Sequence, residues 1–239
     1  MSSKDDFVFS KGALMSTKAG KEILKQAILR ERGYKQYNKY KLKYETEFED
    51  FTKRFLLSLH RRIISDTSPS STLSKFAEEV GSQEMDLDSS KIENIKNRLS
   101  RPEILADRVQ RILDSNFVKM TFPVFNALFD GSVAYFKEDI SNELRTSIID
   151  GHIIAIDLSE PMDRIIDKDE DLEYLDDYRL MNPYILDLAR EKISFGGDSV
   201  LKAFEDGFKD ARIGQLIDNK LKVKPESITD ELMIGCYKK

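Results

Sequence analysis

The sequence predicts an all-α protein, a multi-helix bundle of seven to nine helices with one long aromatic-striped helix near the N-terminus. Three observations carry that prediction. Tyr34, Tyr37, Tyr44, Phe48, Phe51 and Phe55 recur at intervals of three, four or seven residues, the spacing that sets side chains on one seam of a helix. Apolar residues elsewhere recur at the same period, as in Ile104, Leu105, Val109, Ile112 and Leu113. Only His152–Ile156, HIIAI, is a short apolar run of strand type. A single strand has no partner, so a buried helix or extended segment is expected there.

The aromatic stretch runs from Tyr34 to Ile64. As a heptad its seam reads Tyr34, Tyr37, Lys41, Tyr44, Phe48, Phe51, Phe55, Ser58, Arg62. Leu56, Leu59, Ile63 and Ile64 widen the apolar face at its C-terminal end. Such a helix spans roughly 45 Å, and each buried ring removes roughly 150–250 Å² from water. The six rings are therefore expected to need a cover, from this chain or another, and are the candidate protein-interaction residues.

The remaining elements follow in order. Residues 1–16 are expected to be weakly ordered, with Phe7, Phe9 and Leu14 available to dock on a neighbour. A helix starts near Thr17, and Gly33 is expected to break or kink it. Residues 65–90 hold two polar connections around a short helix near Leu73–Val80 and form the candidate linker. Lys91–Leu99 is a short helix. Ser100-Arg101-Pro102-Glu103 reads as a helix start with Ser100 as N-cap. Residues 117–129, FVKMTFPVFNALF, are the most apolar stretch and the expected centre of the core, broken or kinked at Pro123.

Gly131-Ser132 reads as a stop and a new cap, opening a helix that ends at Gly151. Ser159-Glu160-Pro161 and Asn182-Pro183 read as two further starts sharing the grammar of a polar cap and a nearby proline. Gly196-Gly197 ends the second of these helices and Asp198 caps another, to about Asp218. A last short helix covers Thr229–Cys236. The organisation expected is a helical segment over 1–66, a linker or mobile loop over 67–90 and a helical body over 91–239.

Charge and composition narrow the function classes. The 239 residues are 34% charged and 40% hydrophobic with a net charge of −5, which gives no whole-molecule attraction to nucleic acid or anionic lipid. No apolar run approaches the ~20 residues of a membrane span. The N-terminus lacks the apolar core of a secretory signal, and Cys236 is the sole cysteine, so a reducing, cytoplasmic setting is expected. Residues 18–64 carry 13 Lys or Arg against 6 Asp or Glu, and residues 157–177 carry 10 Asp or Glu against Arg164 and Lys168. The two segments are expected to be solvated faces of opposite sign or mutual partners.

Signatures of chemistry are sparse. His60, His152 and Cys236 make no zinc set, and both histidines are read as structural. Asp167, Asp169 and Asp171 alternate like the start of an EF-hand loop, but Leu172 and Tyr178 stand where its glycine and bidentate glutamate belong. Ser194–Ser199, SFGGDS, resembles the GGDEF signature of cyclic-di-nucleotide synthases, with Asp157 upstream where that family keeps a metal-binding aspartate. Ser199 and Val200 replace its Glu and Phe, and a glycine helix stop followed by an aspartate explains the same letters. No GxSxG, Walker or GxGxxG motif occurs. The expectation is a non-enzymatic adaptor, scaffold or assembly subunit without cofactor or metal, acting through a protein partner or self-association. The competing reading is a nucleic-acid-binding protein that uses the basic 18–64 segment, with Lys39, Lys43, Arg61 and Arg62 as its contacts.

Overall fold

The computed structural model describes residues 18–81, 87–114, 116–167 and 172–223. Among these the chain forms nine α-helices and no strand. They are α1 (Lys18–Lys43), α2 (Glu45–Ser65), α3 (Pro69–Val80), α4 (Ser89–Leu99), α5 (Pro102–Leu113), α6 (Asn116–Phe136), α7 (Asn142–Asp167), α8 (Leu172–Ser194) and α9 (Asp198–Val223). The expected all-α bundle is the architecture found. Phe7, Phe9, Leu14 and the helix expected over Thr229–Cys236 lie outside the described residues.

The aromatic stretch is one rod with a bend. Tyr44 has φ −106° and ψ 14°, away from helical values near −63° and −42°. Tyr44 belongs to neither helix but is bonded to both: its N–H donates to the Tyr40 carbonyl at 3.0 Å and its carbonyl accepts from the Phe48 N–H at 2.9 Å. The break expected at Gly33 does not occur. The helix runs on through it, and a β-carbon there would meet nothing within 4 Å, so the cost of Gly33 is one of helix propensity. Beyond the bend α2 packs on α4, α5, α7 and α8, while α1 packs on α6.

The segment expected as a linker contains α3, which buries Pro69, Leu73, Phe76 and Val80. Gly81 ends α3 at φ 64° and donates to the carbonyls of Ala77 and Glu78, a left-handed cap suited to glycine. Ser100 is not the N-cap of α5. It closes α4 instead, its N–H and hydroxyl both donating to the Lys96 carbonyl at 2.8 Å. Arg101 is extended, with φ −82° and ψ 118°, and is the N-cap. The residue before a proline is pushed out of the α region, so Pro102 fixes the boundary one residue later than Ser100 suggests.

Prolines misplace three other expected boundaries. Helices α6, α7 and α8 run through Pro123, Pro161 and Pro183. Ser159 and Asn182 therefore open no new helix. Gly131-Ser132 is no stop either: α6 continues to Phe136, and the Ser132 hydroxyl donates to the Leu128 carbonyl at 2.9 Å. The cap of α7 is Ser141, which accepts from the Leu144 N–H at 3.2 Å. Helix α7 also passes Gly151, and HIIAI lies in it with Ile153 and Ile154 buried. Gly151 serves close packing, since an added β-carbon would stand 2.6 Å from Ile193 Cγ1 and 3.0 Å from the Ile193 backbone nitrogen. The Gly196-Gly197 stop is observed, with Gly197 at φ 90° before α9.

The centre of the core is α8, not residues 117–129. It contacts α2, α3, α4, α5, α7 and α9. Leu175, Tyr178, Leu180, Met181, Tyr184, Ile185, Leu186, Leu188, Ala189 and Ile193 are all buried. In the 117–129 stretch Val118 and Phe122 are buried, but Met120, Val124 and Leu128 are exposed. A helix apolar nearly all round can reach the edge of a bundle when its neighbours cover only one side.

Two glycine substitutions should separate propensity from packing. Gly151→Ala is expected to destabilise the fold by about 1–3 kcal/mol through overpacking against Ile193. Gly33→Ala is expected to stabilise α1 by about 0.5–1 kcal/mol. Chemical denaturation followed by circular dichroism reads both.

Candidate functional site

The six rings of the seam have different fates. Phe51, Phe55 and Tyr44 are buried, Phe48 and Tyr37 are half-buried, and Tyr34 is 67% exposed. Phe51 stacks on Phe55 with centroids 5.9 Å apart, and Phe122 of α6 meets Phe48 at 5.0 Å and Phe51 at 5.5 Å. The cover for these rings therefore comes from within the chain. Tyr37 donates its hydroxyl to the Lys119 carbonyl at 3.3 Å. That carbonyl lies four residues before Pro123, which has no N–H to offer it.

The candidate nucleic-acid contacts are divided as well. Lys39 and Arg61 are exposed. Lys43 donates to the Tyr44 hydroxyl at 2.7 Å and approaches Asp130 at 3.5 Å. Arg62 pairs with Glu191 and stands 3.9 Å from Asp187, both on α8. Among the described residues no ion pair joins the basic 18–64 segment to the acidic 157–177 segment. Two acids of that segment pair elsewhere: Asp176 with Lys91 of α4 and Arg179 of its own helix, and Asp177 with Arg98 of α4 and Arg108 of α5.

A polar cleft of about 290 Å³ lies between α2, α6 and α7. Glu47, Asp50 and Arg54 line one wall and Arg145, Thr146 and Asp150 the other. Arg54 grips Asp150 with two bonds of 2.8 Å. Arg145 donates to Asp130 at 2.7 Å, to Glu47 at 3.0 Å and to the Asn126 amide oxygen at 2.9 Å. Asp130 also accepts from the Tyr44 hydroxyl at 2.7 Å. Burial alone would raise the Asp130 carboxyl, but Arg145, Tyr44 and Lys43 outweigh it and hold the group below the usual range. Charge in the cleft is thus spent on cross-helix pairing, which fixes α1, α2, α6 and α7 together.

A second network centres on a buried pair, Asp177 and Arg108. Asp177 of α8 accepts from Arg98 at 3.0 Å and Arg108 at 2.7 Å. The guanidinium groups of Arg108 and Arg111 lie 4.1 and 4.2 Å from the Tyr174 ring centre. Both histidines contact backbone carbonyls, His60 at Ser100 and His152 at Ile148, at 2.9 and 2.8 Å. A carbonyl only accepts, so each ring nitrogen in contact carries the proton. His152 also stacks on Phe125 at 5.0 Å. Asp169, Asp171 and Cys236 lie outside the described residues. Among the described residues no three His, Cys, Asp or Glu side chains converge to hold a metal.

The feature that sequence reasoning misplaced is an apolar surface. Met120, Val124, Leu128 and Tyr135 lie on one side of α6 and face out. Leu128 is 66% exposed and Tyr135 80%, and Tyr135 meets its 69% exposed neighbour Phe136 edge to face at 5.0 Å. At roughly 150–250 Å² per ring, those two aromatics alone leave about 300 Å² in water. That area matches the largest apolar patches of ordinary monomers. The signal was present: FVKMTFPVFNALF has more apolar residues than one buried face of a helix can use.

No protein-family model matches the chain, no curated protein matches it, and no solved structure matches its fold. Among the described residues no helix is long and apolar enough to cross a membrane.

Removing one partner from a buried ionic network is costly. Asp177→Ala is expected to destabilise by about 3–5 kcal/mol, read as a fall in the denaturation midpoint. The lowered Asp130 carboxyl predicts a pH effect. Its contribution is complete above the unfolded value near 3.9 and is lost as pH falls through the lower folded value. Arg145→Met should therefore shift the acid-unfolding transition to higher pH, measured by far-ultraviolet circular dichroism.

Proposed function

We propose that this protein is a non-enzymatic helical adaptor or assembly subunit that acts through protein–protein contact, with the outer face of α6 as its contact surface. The observation that carries this reading is the exposed run of Met120, Val124, Leu128, Tyr135 and Phe136 on one helix. The largest apolar patch of a monomer is often functional. The buried rings of α2 support the fold beneath it, and the polar cleft ties α6 to α2 and α7. The sole cysteine fits a reducing, cytoplasmic setting.

The test is Leu128→Glu combined with Tyr135→Glu. Both positions are exposed, so helix content should be unchanged and folding stability should stay within about ±0.5 kcal/mol per site. The solution mass or the set of co-purifying proteins is expected to change. If neither changes, the reading fails. Retardation of nucleic-acid probes that weakens steeply with salt and depends on Lys39 and Arg61 would replace it with the nucleic-acid reading.

A further inference from the structure

We propose that the occupant of the α6 stripe is a second copy of this chain, paired antiparallel with the first across a two-fold axis. The inference rests on the protein-contact reading above and names its partner. Three features of α6 favour self-pairing.

The first is spacing. Val124, Leu128, Gly131 and Tyr135 follow one another at intervals of four, three and four residues, which is the seam of a helix pair. The order of intervals is the same in both directions. Laid antiparallel on itself, the seam sets Tyr135 opposite Val124 and Leu128 opposite Gly131, each twice. Large side chains thus meet small ones, as close helix packing requires.

The second feature is Gly131 itself. It is exposed inside α6, and a β-carbon there would meet nothing within 4 Å. Its φ is not positive. A helix-interior glycine costs about 1 kcal/mol relative to alanine, and nothing described within the chain requires one. A partner Leu128 seated over it would.

The third feature is charge. Between Met120 and Phe136 the only ionised side chain is Asp130, and it is held by Tyr44, Lys43 and Arg145. A homotypic interface brings each charge near its own copy, and like charges repel. This face carries none to repel.

Light scattering and sedimentation on the full chain should give twice the chain mass at high concentration. Leu128→Glu should weaken the association by roughly a hundredfold or more. Gly131→Leu should also weaken it while retaining helix content, because it fills the hollow that receives Leu128. In a Cys236→Ser background, mixed chains bearing Leu128→Cys and Gly131→Cys should form the mixed disulfide in preference to either like pair. A strictly monomeric chain, association indifferent to Leu128→Glu, or no preference for the mixed disulfide would overturn the proposal. A monomer whose co-purifying proteins still depend on Leu128 overturns self-pairing alone. A monomer without that dependence overturns the contact reading as well.

Discussion

Helix α8 packs against six other helices, and that enclosure sets the conditions for them. Between Leu175 and Ile193 it buries ten large or small apolar side chains and the polar Asp177 and Asn182. A helix enclosed in this way must come close to its neighbours, and Gly151 of α7 leaves the space that Ile193 fills. Its buried charge must also be matched, because an isolated ion in the interior is far more costly than a paired one. Arg98 and Arg108 arrive from α4 and α5 to match Asp177. The positions of those two short helices are therefore coupled to one carboxylate.

The corner after α2 shows the same economy. Asp66 accepts from the Ser68 N–H and the Thr72 hydroxyl at 2.7 Å and from the Tyr184 hydroxyl of α8 at 2.8 Å. Its backbone carbonyl accepts from Lys96 of α4 at 2.5 Å. Burial works against the Asp66 charge, yet these donors keep its carboxyl below the usual range. Burial, joined by the bond to Asp66, pushes the Tyr184 phenol well above its ordinary value. One residue thus closes a turn with its side chain and fastens it to α8 and, through its backbone carbonyl, to α4.

The helical class, the long aromatic rod and the start of α1 near residue 18 were legible because period and composition are local properties. Boundaries next to proline were not. Ser159 and Asn182 look like caps, but Pro161 and Pro183 are carried inside helices held by tertiary packing. Helix α8 was hidden for a related reason. Asp176, Asp177, Arg179 and Asn182 suggest a wet surface, and only the arrival of Arg98 and Arg108 from elsewhere makes Asp177 an interior residue. The reverse error fell on α6, whose greasy composition pointed inward although half of it faces out. Composition says how much apolar surface a helix has, not how many neighbours will come to meet it.

The bend at Tyr44 has a mechanical consequence. Tyr44 is tied by its backbone to the helix on either side of it, and by its hydroxyl to Asp130 of α6. Helix α1 is then a cantilever clamped at its root by Tyr44, Lys43 and Asp130 and propped along its length by α6. Tyr34 rides on this arm about 15 Å from the root. The position of that ring therefore follows from two supports of the arm, its root at Tyr44 and its contact with α6.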